Sequence, residues 1–295
     1  MRISVVIVTH NRPEHCDSAL NSLLDNRVVP NDIIVVDDHS IPPYSLRIKD
    51  QRVKIYRTDE ELGLGYCRTL GAKAAEGDVI AFIDDDALAS PNWIEKIEMN
   101  AIRYDIIGGT CKPIYAVKKL PEWWNPTLLG KYLTVNNDFL VGCNFAVRRE
   151  VFEKVGYFRR ILGRVSGKLI SNEERDLILR ARIAGKSVAF DRSMIVYHKI
   201  LPYRMNLKYL IRRAWYQGFS IYLTVGTNFG LFLLGRDRKE SKRNVFFDRT
   251  ALRCTLYSSS IYIALMLTTV LGYVFCLLSR SILQNKANCA DQRCT

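Results

Sequence analysis

The chain has 295 residues, of which 48% are hydrophobic and 25% charged, and carries a formal net charge of +13. This balance excludes a disordered polypeptide and allows one large domain plus an appendage. The positive charge suits nucleic acid, a membrane surface or an anionic substrate and does not choose among them. Eight cysteines occur without a CxxC pair or a Cys/His cluster, which argues against structural zinc. Cys16, Cys67, Cys111 and Cys143 lie in helix- or strand-like stretches and read as reduced core thiols of a reducing compartment.

Residues 3–9, ISVVIVT, form a β-branched run without polar alternation, the pattern of a strand buried on both faces. The short apolar run and the lack of a small-residue cleavage site argue against a signal peptide. Asn11 is placed to cap a helix opened by Pro13, with an apolar stripe of Ala19, Leu20, Leu23 and Leu24. A second buried strand, Ile33–Val36, ends in Asp37-Asp38, and a short third covers Val53–Tyr56. Cys67–Ala75 reads as a helix closed near Gly77, and Val79–Ile83 as a fourth strand ending in Asp84-Asp85-Asp86. Alternation of strands and helices predicts an α/β fold with a mainly parallel sheet flanked by helices. In such sheets ligands collect beyond the carboxyl ends of the strands, where Thr9, Asp37-Asp38 and the three aspartates all fall.

Lys118–Pro126 is expected as a loop with two adjacent tryptophans, Trp123 and Trp124, which either sit among lipid headgroups or clamp the loop as a hydrophobic pair. Val141–Phe158 reads as a strand, a helix from Arg149 and a turn at Gly156. Residues 171–185 read as a helix with Leu177, Ala181 and Ala184 on one face, Ser171 or Asn172 as cap and Gly185 at the stop. Two short strands, SVAFD and IVYHK, follow, the second carrying His198. A domain is therefore expected over 1–200, with an amphipathic, basic, membrane-proximal region over 201–253. There Arg204, Lys208, Arg212 and Arg213 face headgroups or a lipid diphosphate, with Leu210, Ile211 and Trp215 inward.

From Leu256 to Ser279 there is no charge, a run of 24 residues. It is long enough to cross a hydrocarbon core of about 30 Å as a helix. One transmembrane helix is expected over 254–280, with Tyr257 and Tyr273 near its ends and a short tail over 281–295. Seven Lys or Arg between 236 and 253, against three downstream, place the large N-terminal part in the cytoplasm, on a single-pass membrane protein. Cys289 and Cys294 of the tail are candidates to pair. Because the cations cluster beside the apolar span, membrane lipids rather than nucleic acid are the expected anionic partner.

Adjacent carboxylates repel each other unless a hard divalent cation relieves them, and oxygen ligands suit Mg2+ or Mn2+. Mg2+ is commonly held by one or two carboxylates plus substrate phosphates, so the aspartates predict a phosphate-bearing substrate.

The segments VVIVTHNRP, IIVVDDHS and GLGYCRTLGAKAAEGDVIAFIDDD resemble the family 2 glycosyltransferases of the GT-A fold, inverting enzymes that use nucleotide-sugar donors. GCNFAVRREVFEKVGYF and NEERDLILRARIAG resemble that family's acceptor-side motifs, and the likeness covers about residues 1–200. The resemblance implies that Thr9 and Asn11 flank the nucleotide and that Asp38, with Asp37, binds the base. It implies that Arg68 approaches the nucleotide sugar from its helix. Asp84 and Asp86 become the outer carboxylates of a D-x-D motif that holds the metal, with Asp85 on the ribose or donor sugar. The family's Glu-Asp-x-Asp-Leu reads Glu173-Glu174-Arg175-Asp176-Leu177 here, so Glu174 stands where the catalytic aspartate is expected and Glu173 is its rival. His198 is the implied third metal ligand. The donor expected by default is a UDP-sugar and the acceptor a saccharide or lipid-linked glycan. A nucleotidyltransferase and a membrane-anchored scaffold with a vestigial nucleotide site are the alternatives.

Overall fold

A computed structural model describes residues 1–126, 129–130, 140–225 and 263–275. The chain divides into two compact units: Met1–Lys112 with Asp138–His198, and Pro113–Asn137 with Lys199–Thr295.

The first unit is built on a sheet of eight strands, among them β1 (Ile3–Thr9), β2 (Asp32–Asp37), β3 (Val53–Arg57), β4 (Val79–Asp84), β5 (Ala87–Ala89), β6 (Ile106–Tyr115), β7 (Phe145–Arg148) and β8 (Val188–Ile200). Their spatial order is β3-β2-β1-β4-β7-β6-β8-β5. Helices α1 (Pro13–Leu24), α2 (Leu64–Ala74), α3 (Trp93–Ala101), α4 (Arg149–Val155) and α5 (Glu173–Ile183) cover the two faces. Strand alternation distributes β1 between two cores. Ile3, Val5 and Ile7 pack with Leu20 and Leu23 of α1 and with Trp93 and Ile97 of α3. Val6 packs on the other side with Cys67 of α2, Phe152 of α4 and Leu177 of α5. There Phe82 stacks on Phe145 at 4.8 Å between centroids, with Phe158 edge-on to both.

The sheet is mixed, which corrects the mainly parallel expectation. β3, β2, β1 and β4 pair in parallel, as βαβ crossovers require. β7 then joins β4 antiparallel, and the β6–β7 and β5–β8 pairs are antiparallel too. The strands expected from SVAFD and IVYHK are one 13-residue strand, β8. The cap expected of Asn11 is also corrected. Arg12 occupies the N-cap of α1 with no capping side chain. Asn11 takes a left-handed φ of 55°, which asparagine tolerates, and its Oδ1 accepts the Ile41 N–H at 2.7 Å. Asn172 does stand at the N-cap of α5, at φ 76° and without a capping side-chain bond, and Gly156 and Gly185 end their helices at positive φ.

Asn144 ties the antiparallel half together. Its Oδ1 accepts the Trp93 indole N–H at 2.8 Å, and its Nδ2 donates to Thr110 O at 2.9 Å and Met194 O at 3.0 Å. One fully buried amide thus joins α3, β6 and β8. The cysteines Cys16, Cys67, Cys111 and Cys143 are buried and free, and the Cys111 and Cys143 sulfurs lie 3.4 Å apart. Cys289 and Cys294 lie outside the described residues.

The second unit contains a 3-10 turn, Pro202–Met205, and the 19-residue helix α6, Leu207–Val225. Arg204 and Arg213 are buried there and Ile211 is exposed, which corrects the facing expected for these three, while Lys208 and Arg212 are exposed. In its loop Trp124 is buried and meets Tyr115 and Trp123 edge-on, so one of the two tryptophans is core. Of the expected transmembrane segment 254–280, residues 263–275 are helical and the rest fall outside the described residues. Among the described residues no helix is long and apolar enough to cross a membrane.

Replacing Asn144 with alanine leaves the Trp93 N–H and two strand carbonyls without this partner, and each stranded buried group costs about 1–3 kcal/mol. Urea denaturation of Asn144→Ala is expected to show a stability loss of roughly 3 kcal/mol or more.

Candidate active site

Parallel register brings the acidic strand ends to one edge. Thr9 pairs with Asp37 across β1 and β2, and Val8 with Asp84 across β1 and β4. The β5–β8 register sets Ala87 opposite His198, which returns the histidine to the aspartates from the far end of the sheet. The His198 Nε2 lies 3.0 Å from Asp86 Oδ1 and 4.0 Å from Asp84 Oδ2. Ligand atoms of Asp84, Asp86 and His198 all fall within 4.8 Å of one another. Two carboxylate oxygens and an imidazole nitrogen, with Asp86 and His198 buried and Asp84 partly open, fit a hard divalent cation that also takes substrate oxygens.

Two arginines offset the gathered negative charge. Arg68 of α2 is 3% exposed; its guanidinium donates to Glu173 Oε1 at 2.6 Å, to Asp84 Oδ1 at 2.8 Å and to the Gly142 carbonyl at 2.6 Å. Burial pulls the Arg68 pKa down, but Glu173 and Asp84 outweigh it and hold the group firmly charged. Residue 142 is a glycine for a steric reason: a Cβ there would stand 2.7 Å from the Arg68 guanidinium. Arg12 is the second cation, 3.3 Å from Asp85 Oδ1 and 3.1 Å from Asp86 Oδ2. Thr9 Oγ1 donates to the other oxygen of Asp85 at 3.0 Å. Burial and the Asp86 charge raise the Asp85 pKa to about 7 against the pull of Arg12.

Glu173 and Glu174, in the first turn of α5, are both buried and differ in partners. Glu173 is engaged by Arg68. Glu174 is pushed up to about 7, first by burial and then by the Glu173 charge, with Arg68 opposing. Asp37 and Asp38 reach the same edge with their carboxylates committed to loops. Asp37 accepts the N–H groups of Ser40 at 2.9 Å and Tyr44 at 3.0 Å and pairs with Arg57. Burial raises its pKa, and the hydrogen bonds from Ser40 and Tyr44 more than reverse that. Asp38 accepts the N–H groups of Leu62 at 2.8 Å and Gly63 at 2.9 Å.

The structure thus gathers Thr9, Arg68, Asp84, Asp85, Asp86, Glu173, Glu174 and His198. Asn11, Asp37 and Asp38 shape the neighbouring loops. Sequence reasoning missed Arg12, Gly142 and Asn144. Arg12 had a signal, since it follows the first strand end by three positions; the other two depend on tertiary contact.

Fold and site together define a GT-A-like glycosyltransferase. The chain belongs to glycosyl transferase family 2, which it matches over residues 4–156. Glucosyl-dolichyl phosphate glucuronosyltransferase of Haloferax volcanii is 31% identical over 242 residues, covering 75% of this chain and 76% of that protein. Glycosyltransferase AglE of the same organism is 25% identical over 221 residues, covering 70% and 69%. Among solved structures, the mannosyltransferase PcManGT from Pyrobaculum calidifontis, in complex with GDP-Man and Mn2+, shares the fold at a TM-score of 0.54 and 14% identity, covering 98% of this chain and 80% of that one. GalNAc-T7 with UDP, GalNAc and Mn2+ gives a TM-score of 0.50 at 18% identity, covering 68% of this chain and 43% of that one. Family membership sets aside the nucleotidyltransferase.

Removing one partner of a buried ion pair costs about 3–5 kcal/mol, because the other charge stays buried. Arg68→Ala is expected to lose stability on that scale in urea denaturation, and Arg68→Met combined with Glu173→Met to recover a large part of it.

Proposed function

We propose that this glycosyltransferase moves a sugar from a nucleotide-diphosphate donor to a hydroxyl of a lipid-linked saccharide, with inversion at the anomeric carbon and with help from Mg2+ or Mn2+. The observation that carries the reading is the convergence of Asp84, Asp86 and His198 beside the Arg68–Glu173 pair and Glu174. The relative named as acting on glucosyl-dolichyl phosphate supports the lipid-linked acceptor. Neighbours solved with UDP or GDP-Man support a nucleotide donor, and UDP-sugar is the default.

Asp84, Asp86 and His198 would hold the cation, which supplies positive charge where the diphosphate leaves. Thr9 and Asn11, with the loops anchored by Asp37 and Asp38, frame the nucleoside end. Asp85, oriented by Thr9 and Arg12, faces the ribose or donor sugar. Glu174 accepts the proton of the acceptor hydroxyl as its oxygen bonds to the anomeric carbon. The bond from that carbon to the diphosphate oxygen breaks on the opposite face, and the electron pair leaves with the nucleoside diphosphate. Glu173 is the weaker candidate base, because Arg68 occupies its Oε1. A base that titrates near the working pH is well matched to the task.

Glu174→Gln is expected to lower turnover by about 10²–10⁴-fold while nucleotide binding persists. Wild-type turnover in that variant, with loss in Glu173→Gln, would reassign the base. The pH profile has a definite sign. Glu174 works only when ionised, so kcat/KM is expected to fall on the acid side of about 7 by about tenfold per pH unit. Folding stability shows the opposite trend for this residue. Its folded pKa, about 7, lies above the ordinary 4.5, so its contribution is most favourable below that ordinary value and is lost as pH rises through about 7. Glu174→Gln is expected to flatten both profiles.

A further inference from the structure

The second unit holds a feature that sugar transfer does not explain. Helix α6 and the helix at 263–275 meet backbone to backbone through two glycines. A Cβ at Gly272 would stand 2.5 Å from the Trp215 carbonyl oxygen and 3.5 Å from the Gly218 Cα, and one at Gly218 would overlap the backbone at 269–273. Close approach through small residues is the usual way helices associate where water supplies no hydrophobic drive. Around the contact Trp215 and Phe219 pack on Phe275, at 5.6 and 5.9 Å between centroids, and Tyr222 meets Tyr273.

This docking turns Leu265, Gly272 and Tyr273 inward and leaves an outer face that is apolar throughout. Ile263 is 59% exposed, Leu267 60%, Val270 53% and Leu271 60%, with Val274 and Phe275 beside them. A water-soluble helix places charge on such a face; this one has none, and no charged residue occurs in the sequence between Arg253 and Arg280. The Ser and Thr hydroxyls of both helices bond to their own backbone. Thr268 donates to Ala264 O at 2.8 Å, Thr269 to Leu265 O at 2.9 Å, Ser220 to Tyr216 O at 2.7 Å and Thr224 to Ser220 O at 2.7 Å. That arrangement suits a medium with no water to share.

We infer that α6 and residues 263–275 form a glycine-locked helix pair, and that the face of Ile263, Leu267, Val270 and Leu271 lies among the acyl chains of a lipid bilayer. Charge selects lipid over a second protein. Seven Lys or Arg between 236 and 253 precede the apolar run, and Lys208 and Arg212 are exposed near the start of α6, complementing anionic headgroups.

The test uses the full chain reconstituted in phosphatidylcholine–phosphatidylglycerol vesicles. Tryptophan introduced by Leu267→Trp or Leu271→Trp is expected to lose emission when the acyl chains are brominated. Leu267→Lys combined with Leu271→Lys is expected to reduce co-flotation with the vesicles. Its retained thermal stabilisation by UDP with Mn2+ would show that the first unit is still folded. Gly272→Val is expected to change the emission of Trp215, isolated by comparison with Trp215→Phe, through loss of the Phe275 contact. Unquenched emission at 267 and 271, undiminished flotation of the lysine variant, or a dimer that buries this face without binding vesicles would overturn lipid contact. Unchanged Trp215 emission in Gly272→Val would overturn the glycine lock.

Discussion

Mutual repulsion among buried carboxylates is the constraint on which the site depends. Asp84, Asp85, Asp86, Glu173 and Glu174 meet at one edge of the sheet, and the chain supplies two built-in counter-cations, Arg68 and Arg12. Each guanidinium is shared between two acids, so charge is offset without being cancelled. Burial first, and then the charge of the neighbouring acid, raises Asp85 and Glu174 to about 7, and the remaining negative charge is what a divalent cation at Asp84, Asp86 and His198 would relieve.

Arg68 has a second consequence. Its guanidinium joins Asp84, at the end of β4, to Glu173, at the start of α5, and to the Gly142 carbonyl just before β7. The Asp84 carboxylate and the helix turn that carries Glu174 are therefore held by one buried side chain. Packing supports this arrangement from below: Phe82, Phe145 and Phe158 form the aromatic floor on which the guanidinium rests, 5.8 Å above the Phe145 ring.

Much of the site was legible in the sequence because parallel strands deliver their carboxyl ends to one edge. Once VVIVT and VIAFID read as buried strands, Thr9 and Asp84–Asp86 had to be neighbours. The rest depended on geometry that local patterns do not carry. β6 contains Gly108, Gly109 and Pro113, which read as breaks, and β5 is three residues long. The polar run Asp191, Arg192 and Ser193 interrupts the apolar pattern of β8, so one strand looked like two. Those strands form the antiparallel half of the sheet, and missing them made the sheet look parallel. Arg12, Gly142 and Asn144 act through partners 34 or more residues away, at separations no periodicity reveals. The family resemblance supplied His198 and Glu174 where strand logic alone stopped.

The central claim is that Asp86 and His198, distant in sequence, act as one cation site for a nucleotide diphosphate. Isothermal titration of UDP into the full chain, with and without Mn2+, tests it most directly when repeated on Asp86→Asn and His198→Ala. The account predicts that Mn2+ strengthens UDP binding to the natural chain and that this gain disappears in either variant, while both remain folded. A gain of equal size in all three proteins, or no effect of Mn2+ on any nucleotide, would contradict it.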